Sequence, residues 1–232
     1  RNIGNLRSRL LAQDLSSRKA RTLLYALNAV SQLDLLPRKG VVFDALVRKG
    51  SLVEVDLTSG ARRFLTRGDC QDRQPVYAPD GKTVVFSSDR GGNVDLWSIA
   101  RETGELKRLT DHQAEDWDPA FTSDGRLLFS SRRTGVFEVF LANADGTSPR
   151  QVTRDGVDAE NPTATPEGWI AYANQVMGAV WKIRVDGSSA QRLYQGTVGQ
   201  VEVSPDGKLA LLAALVTSTT AGVKVIRLSD GK

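Results

Sequence analysis

Apolar and polar positions along this chain follow the rhythm of short, half-buried strands, as in Thr83-Val84-Val85-Phe86, Val94-Asp95-Leu96-Trp97 and Trp181-Lys182-Ile183-Arg184-Val185. Side chains on a strand point to opposite faces in turn, so a one-in-two pattern marks a strand with one face covered. Helical periodicity is absent throughout, and the pattern predicts an all-β protein. The longest apolar run, Leu209 to Val216, lies between Pro205-Asp206-Gly207 and Thr217-Ser218-Thr219-Thr220. It is far shorter than the roughly 20 residues of a membrane-spanning helix, so it predicts a buried strand and no membrane insertion in this span.

The strands recur in a fixed order. Phe86-Ser87-Ser88-Asp89-Arg90-Gly91-Gly92-Asn93-Val94-Asp95-Leu96-Trp97 returns, shifted by 43, as Phe129-Ser130-Ser131-Arg132-Arg133-Thr134-Gly135-Val136-Phe137-Glu138-Val139-Phe140. Upstream of each copy stands a turn, Pro79-Asp80-Gly81 and Ser123-Asp124-Gly125, which recurs as Pro166-Glu167-Gly168 and Pro205-Asp206-Gly207. Proline presets φ, the carboxylate caps the turn and glycine takes the positive φ of the return. A second glycine punctuates each period at Gly60, Gly104, Gly146, Gly187 and Gly231, and Asp14-Leu15-Ser16-Ser17 echoes Asp56-Leu57-Thr58-Ser59.

Each period of about 40 to 44 residues holds four strands, here named A to D. Strand A leads to the Pro-Asp-Gly turn, B follows it, C carries Leu96-Trp97 or Val139-Phe140, and D ends in Leu65-Thr66, Leu109-Thr110 or Val152-Thr153. A four-stranded sheet of this length cannot bury both faces alone but stacks on its neighbours around an axis, which is the blade of a β-propeller. The expected architecture is all-β, a β-propeller of four-stranded antiparallel blades, with six blades favoured, five the alternative, and strands missing at the chain ends. The repeats fall at 1–25 (partial), 26–66, 67–110, 111–153, 154–194 and 195–232 (partial), a single domain over 1–232 that is expected to be cut from a larger protein.

Pro75-Val76-Tyr77-Ala78-Pro79-Asp80-Gly81, then Val85-Phe86-Ser87-Ser88-Asp89-Arg90 and Asp95-Leu96-Trp97, closing on Leu109-Thr110, resembles the WD-like repeat of TolB-type propellers. The resemblance covers nearly the whole chain and is sharpest from residue 70 to 153. It weakens where Leu36-Pro37-Arg38-Lys39-Gly40 replaces the turn and where Tyr172-Ala173-Asn174 and Leu212-Ala213-Ala214 replace Phe-Ser-Ser. It implies a binding or sensing platform of the bacterial cell envelope, periplasmic or otherwise extracytoplasmic.

Composition excludes several chemistries. The chain has 232 residues, 40% of them apolar, one cysteine and one histidine. Cys70 alone forms no intramolecular disulfide and no thiolate metal site. His112, in the loop Asp111-His112-Gln113-Ala114-Glu115-Asp116, has no serine elbow to work with, and Gly91-Gly92 joins two strands instead of opening a phosphate-binding helix. No enzyme activity, cofactor or metal is therefore expected. The net charge of +4 is spread along the chain, which does not single out a nucleic-acid surface.

Charge is uneven in one place. In such a fold the D-to-A and B-to-C loops share one face, and the D-to-A loops rim the axis. Three of these loops carry Asp69, Asp72, Asp111, Glu115, Asp116, Asp118, Asp155, Asp158 and Glu160 against Arg67, Arg73 and Arg154. A concave mouth of one sign focuses its field on the opposite sign. The predicted site is Asp72, Arg73 and Gln74 with Asp116, Trp117, Asp118, Asp158, Glu160 and Asn161, and the predicted partner is a protein or peptide, a basic one being favoured. The plainer reading of these acids is that they satisfy loop backbone before strand A. Trp97, Trp181, Phe140 and Leu57 are assigned to the core, and Trp117 to the rim as an anchor. Arg90 is expected to pair with Asp95 across a hairpin. Arg62, Arg63, Lys107, Arg108, Arg150 and Arg192 are expected to guard the outer D edge. The resulting function is a non-catalytic binding or sensor module. Its alternative is the accessory, substrate-gating propeller of a peptidase resembling the prolyl oligopeptidase or tricorn families, with the catalytic domain outside this span.

Overall fold

A computed structural model of the chain describes residues 8–13, 20–26, 33–36, 40–47, 49–215 and 221–232, with side chains over 50–214 and 222–232. Twenty-one strands, and no helix, occur among the described residues. β1 (Ser8–Gln13) and β2 (Ala20–Ala26) pair with each other. Four complete four-stranded antiparallel sheets follow. They are β3 (Leu33–Leu36), β4 (Gly40–Val47), β5 (Lys49–Asp56), β6 (Arg62–Phe64); β7 (Asp72–Tyr77), β8 (Thr83–Ser88), β9 (Asp95–Ala100), β10 (Leu106–Arg108); β11 (Asp116–Phe121), β12 (Leu127–Ser131), β13 (Glu138–Ala142), β14 (Arg150–Gln151); and β15 (Glu160–Ala164), β16 (Trp169–Asn174), β17 (Ala179–Arg184), β18 (Gln191–Gln195). β19 (Val198–Val203), β20 (Leu209–Leu215) and β21 (Ala221–Arg227) form a last, three-stranded sheet. Within each sheet the strands are ordered as in the chain, a simple meander, and these are the blades of a β-propeller. The Asp14–Ser17 echo and Thr217–Thr220 lie outside the described residues.

Local chemistry explains the punctuation. Asp80 Oδ1 accepts hydrogen bonds from the Lys82 and Thr83 N–H groups (2.8 and 3.0 Å), and Gly81 turns the chain at φ 64°. The threonine that ends each D segment is a cap: Thr66, Thr110 and Thr153 Oγ1 accept the N–H of Leu52, Leu96 and Val139 at 2.9, 2.9 and 2.8 Å. Three of the period-marking glycines, Gly146, Gly187 and Gly231, are also required sterically, Gly187 by the Val152 carbonyl. A Cβ on Gly146 would run into the carbonyl oxygen of Leu109, and one on Gly231 into that of Leu193, so the C-to-D turn of one sheet abuts strand D of the preceding one.

The chain divides into two compact units, residues 1–92 with 97–107, and residues 93–96 with 108–232. In the first, Leu52, Tyr77, Val84, Phe86 and Ile99 form the core. Glu54, buried, accepts from Arg63 (2.6 Å), Arg101 Nε (2.6 Å) and the Tyr77 hydroxyl (3.1 Å). Burial alone would raise its carboxyl, but these three donors together hold it below the ordinary carboxylate range.

In the second unit, β16 shows why the strands alternate. Ile170 and Tyr172 pack with Leu128, Val139 and Leu141 of the sheet β11–β14, whereas Ala171 and Ala173 pack with Val201, Ala210 and Leu212 of β19–β21. The apolar run from Leu209 is not buried on both faces as its composition suggested. Ala210, Leu212 and Ala214 are buried, but Leu211 is 49% exposed, as are Val223 (66%) and Val225 (51%) on the neighbouring strand, because only the side toward β15–β18 is covered among the described residues. Leu57 is a second correction: it lies in the turn after β5, and Val53, 5% exposed, takes the place that Trp97 and Phe140 hold in the following sheets.

Candidate functional site

Strand A of each complete sheet with described side chains begins with the same irregularity. Gln74, Asp118 and Asn161 take left-handed backbone angles (φ 54°, 53° and 53°), and each precedes a proline, Pro75, Pro119 or Pro162. The pairing register between strands A and B slips at these points, between Arg73 and Val76, Trp117 and Ala120, and Glu160 and Thr163. Proline has no N–H to give to the ladder, so a bulge is where a strand accommodates it. The bulge re-aims the residue before it. In the second unit these residues link one blade to the next: the Asn161 N–H donates to Asp118 Oδ2 (3.1 Å), and Asn161 Nδ2 donates to the Gly199 carbonyl (3.1 Å).

The structure separates the expected acids into two kinds. Asp72 and Asp116 are buried, each held by an arginine from the B-to-C hairpin of its own sheet. Arg90 Nη2 donates to Asp72 Oδ1 (2.7 Å), while the Ser88 hydroxyl donates to the same oxygen (2.6 Å) and Arg90 Nε donates to Ser88 Oγ (2.9 Å). Arg133 repeats this with Asp116 (3.0 and 3.1 Å) and Ser131 (2.8 Å). Both guanidinium groups also lie over rings, Arg90 over Phe86 and Trp97, Arg133 over Phe129 and Phe140, at 4.7–5.3 Å. These two aspartates are therefore internal struts whose charge is neutralised in place, and the acidic excess of the D-to-A loops alone overstates the charge of the face. The expected Arg90 to Asp95 pair is corrected by the same geometry. Arg90 is taken by Asp72, and Asp95, wholly buried, accepts instead from Arg108 of the outer strand (2.6 Å). Burial raises the Asp95 carboxyl, Arg108 opposes this, and nearby Asp116 and Asp111 add to the rise.

Asp118, Asp158 and Glu160 form the second kind. All three belong to the second unit, at the adjoining starts of β11 and β15. Asp158 Oδ1 caps the Phe137 N–H (3.0 Å), and Asp118 is 5% exposed. Glu160 is half-buried, and its carboxyl is pushed up to about 7 by burial and by the neighbouring Asp118 and Asp158, with Arg132 pulling the other way. Trp117, also half-buried, donates from Nε1 to Glu115 Oε2 (3.3 Å). Asp116, Trp117, Asp118, Asp158, Glu160 and Asn161 are thus brought together in one unit. Asp72, Arg73 and Gln74 sit at the equivalent start of β7 in the other, where Gln74 Oε1 accepts from Ser87 (2.8 Å) and Arg73 donates to Gln71. His112 is exposed in its loop, with its carbonyl held by Asn93 Nδ2 and its Nδ1 accepting the Ala114 N–H. Among the described residues no three His, Cys, Asp or Glu side chains are grouped to hold a metal ion, and no helix is long and apolar enough to cross a membrane.

The residues that sequence reasoning missed lie on the β16–β17 hairpin. Val176 and Met177 are 70% and 58% exposed, and Gln175 Nε2 donates to Glu160 Oε2 (3.3 Å), which sets this apolar tip beside the acidic group. A signal was present. By repeat position Val176 replaces Arg90 and Arg133, and Ala159 replaces Asp72 and Asp116, so the strut is absent from this sheet as a pair.

The family model described as the TolB beta propeller domain matches residues 42–230. An uncharacterized protein of Agrobacterium fabrum is 26% identical over 176 residues, 68% of this chain and 60% of its own length. A Tol-Pal system protein TolB from Anaeromyxobacter dehalogenans is 27% identical over 124 residues, 51% of this chain and 28% of its own length. The chain thus spans less than two thirds of these curated relatives. The crystal structure of TolB from Acinetobacter baumannii superposes with a TM-score of 0.83 at 20% identity, covering 96% of this chain and 57% of that one. The four-stranded sheets, the bulged inner strands and a family match over most of the sequence agree, and the chain belongs to the TolB β-propeller family.

Proposed function

We propose that this chain is a non-catalytic module that binds a protein partner in an extracytoplasmic compartment, and that it does so through the face built by the starts of β11 and β15 and the β16–β17 hairpin. The observation that carries this reading is the placement of Glu160, crowded by Asp118 and Asp158, against the exposed Val176 and Met177. Mutual repulsion among carboxylates is relieved when a cation arrives, and an apolar tip beside them gains from burial. The favoured guest is therefore a protein segment that carries Lys or Arg among apolar residues. Trp117 would flank it. Relatives named as TolB of the Tol-Pal system support a protein-binding role.

The test uses a fluorescent peptide alternating Arg and Leu, titrated against the protein at low and high salt. The Asp118→Asn/Glu160→Gln variant is expected to bind about tenfold more weakly at low salt, and Met177→Ser to weaken binding at all salt concentrations. Affinity that ignores both variants and salt would overturn the reading. A photocrosslinker at position 177 in the native host then identifies the partner.

A further inference from the structure

At the other end of the same strands, the turn Thr165–Gly168 and the turn Ser204–Gly207 flank a cleft of about 630 Å³ between the sheet β15–β18 and the sheet β19–β21. That volume lies within the range of small-molecule sites. Its wall contains Trp169, Lys182, Leu209 and Leu228, and its rim sets Lys208 and Arg227 beside Glu167 and Asp206.

Lys182 is the unusual member. It is 8% exposed, yet its Nζ donates only to the Leu228 carbonyl (2.7 Å) and lies 4.7 Å from the centre of the Trp169 ring. No carboxylate lies within ion-pairing distance of it among the described residues. The rim cations differ, since Lys208 has Asp206 at 3.7 Å and Arg227 has Asp230 at 2.9 Å. A carbonyl dipole and a ring face solvate an ammonium group in part but do not neutralise it, and two of its three protons remain to be given.

The repeat shows how this arrangement differs from the other sheets. The position of Lys182 is held by Glu54, Ser98, Leu141 and Val225 in the other sheets, and the one other charge among them, Glu54, is neutralised by Arg63 and Arg101. The cross-strand partner of Lys182 is Ala171, where the sheet β11–β14 sets Leu128 opposite Leu141. Against the sheet β11–β14, a lysine stands in place of the core residue Leu141 just where its neighbour has shrunk from leucine to alanine. Trp169, in turn, stands where the other repeats place Gly40, Thr83, Arg126 and Leu209. Where the sheet β11–β14 offers its neighbour a packed apolar pair, the sheet β15–β18 offers a cavity with a buried cation and an indole in its wall.

We propose that this cleft binds a small organic monoanion, a carboxylate on a compact apolar or aromatic body. The carboxylate accepts the free protons of Lys182, and the body fills the space between Trp169, Leu209 and Leu228. The site lies at the opposite end of the strands from Glu160, so it stands or falls independently of the protein-binding face.

The experiment follows the Trp169 indole N–H resonance while the full chain is titrated with phenylacetate, and in parallel with its uncharged analogue 2-phenylethanol. Phenylacetate is expected to shift the resonance saturably and to bind at least about tenfold more tightly than the alcohol, the difference a single charge-assisted hydrogen bond supplies. Lys182→Met should abolish that preference, and Lys182→Arg should retain it. No saturable shift with phenylacetate, or equal affinity for the two compounds in the unmodified protein, overturns the proposal and leaves Lys182 as a cap on the end of β21. The comparison of the two compounds needs no variant, so it holds even if Lys182→Met folds poorly.

Discussion

Arg133 and Asp116 are joined by two hydrogen bonds from one nitrogen, Nη2 to Oδ1 at 3.0 Å and to Oδ2 at 3.1 Å, with the aspartate fully buried and the guanidinium against two phenylalanine rings. The pair ties the start of strand A to the B-to-C hairpin. The sheet β15–β18 dispenses with both members, having Ala159 and Val176 in their places. Removing the arginine alone leaves an uncompensated buried charge, whereas removing both leaves an apolar contact. Arg133→Val and Asp116→Ala are each expected to destabilise the protein by about 3 kcal/mol in urea unfolding, and Asp116→Ala/Arg133→Val by only about 1 kcal/mol. Additive losses in this double-mutant cycle would contradict the strut.

The threonines that end the D segments are expected to matter through one oxygen. Thr110→Val keeps the shape but leaves the Leu96 N–H buried without an acceptor, at a cost of about 1–3 kcal/mol. Thr153→Val should cost more, because the Thr153 hydroxyl also donates to the buried Glu138. Serine at either position should restore most of the loss. Denaturant midpoints for the four variants check this.

Gly104 and Gly146 occupy the same turn in successive sheets and share a positive φ, 73° and 84°. Nothing stands near a Cβ on Gly104, but one on Gly146 meets the backbone of Leu109. Gly104→Ala is expected to cost about 1 kcal/mol, the price of the backbone angle alone, and Gly146→Ala clearly more. Equal melting shifts for the two would show that strand D and the next turn are not in contact.

The raised carboxyl of Glu160 makes a pH prediction with a definite sign. Its proton is held more tightly in the folded chain, up to about 7 against an ordinary value of 4.5, first through burial and then through Asp118 and Asp158. The folded state therefore has its full advantage below about 4.5 and loses it as the pH rises through about 7. Glu160→Gln should melt like the parent at pH 4 and higher than the parent at pH 8, as thermal unfolding at the two pH values will show. Since this group borders the proposed partner face, binding of a cationic peptide should also strengthen as Glu160 ionises.

Much of this molecule is legible from its residues alone. Repetition supplies an internal alignment, so Pro79-Asp80-Gly81 and its three successors locate the A-to-B turns, and the glycines from Gly60 to Gly231 locate the others. Turn geometry and strand alternation are local properties, set by the conformational preferences of a few consecutive residues, and the described strands fall between those marks. The identity of partners across a sheet is not local. Arg90 lies closer in sequence to Asp95 than to Asp72, yet the bulge before Pro75 and the direction of the hairpin give it to Asp72. Charge could therefore be counted along the loops but not assigned to a free face, because the neutralising arginines enter from hairpins 17 and 18 residues away. The exposed tip at Val176 and Met177, the crowding of Glu160 and the cleft at Lys182 all arise where one blade meets another. Only the tertiary structure sets side chains from separate repeats at a common depth, and depth decides whether a charge is solvated, paired or left waiting for a ligand.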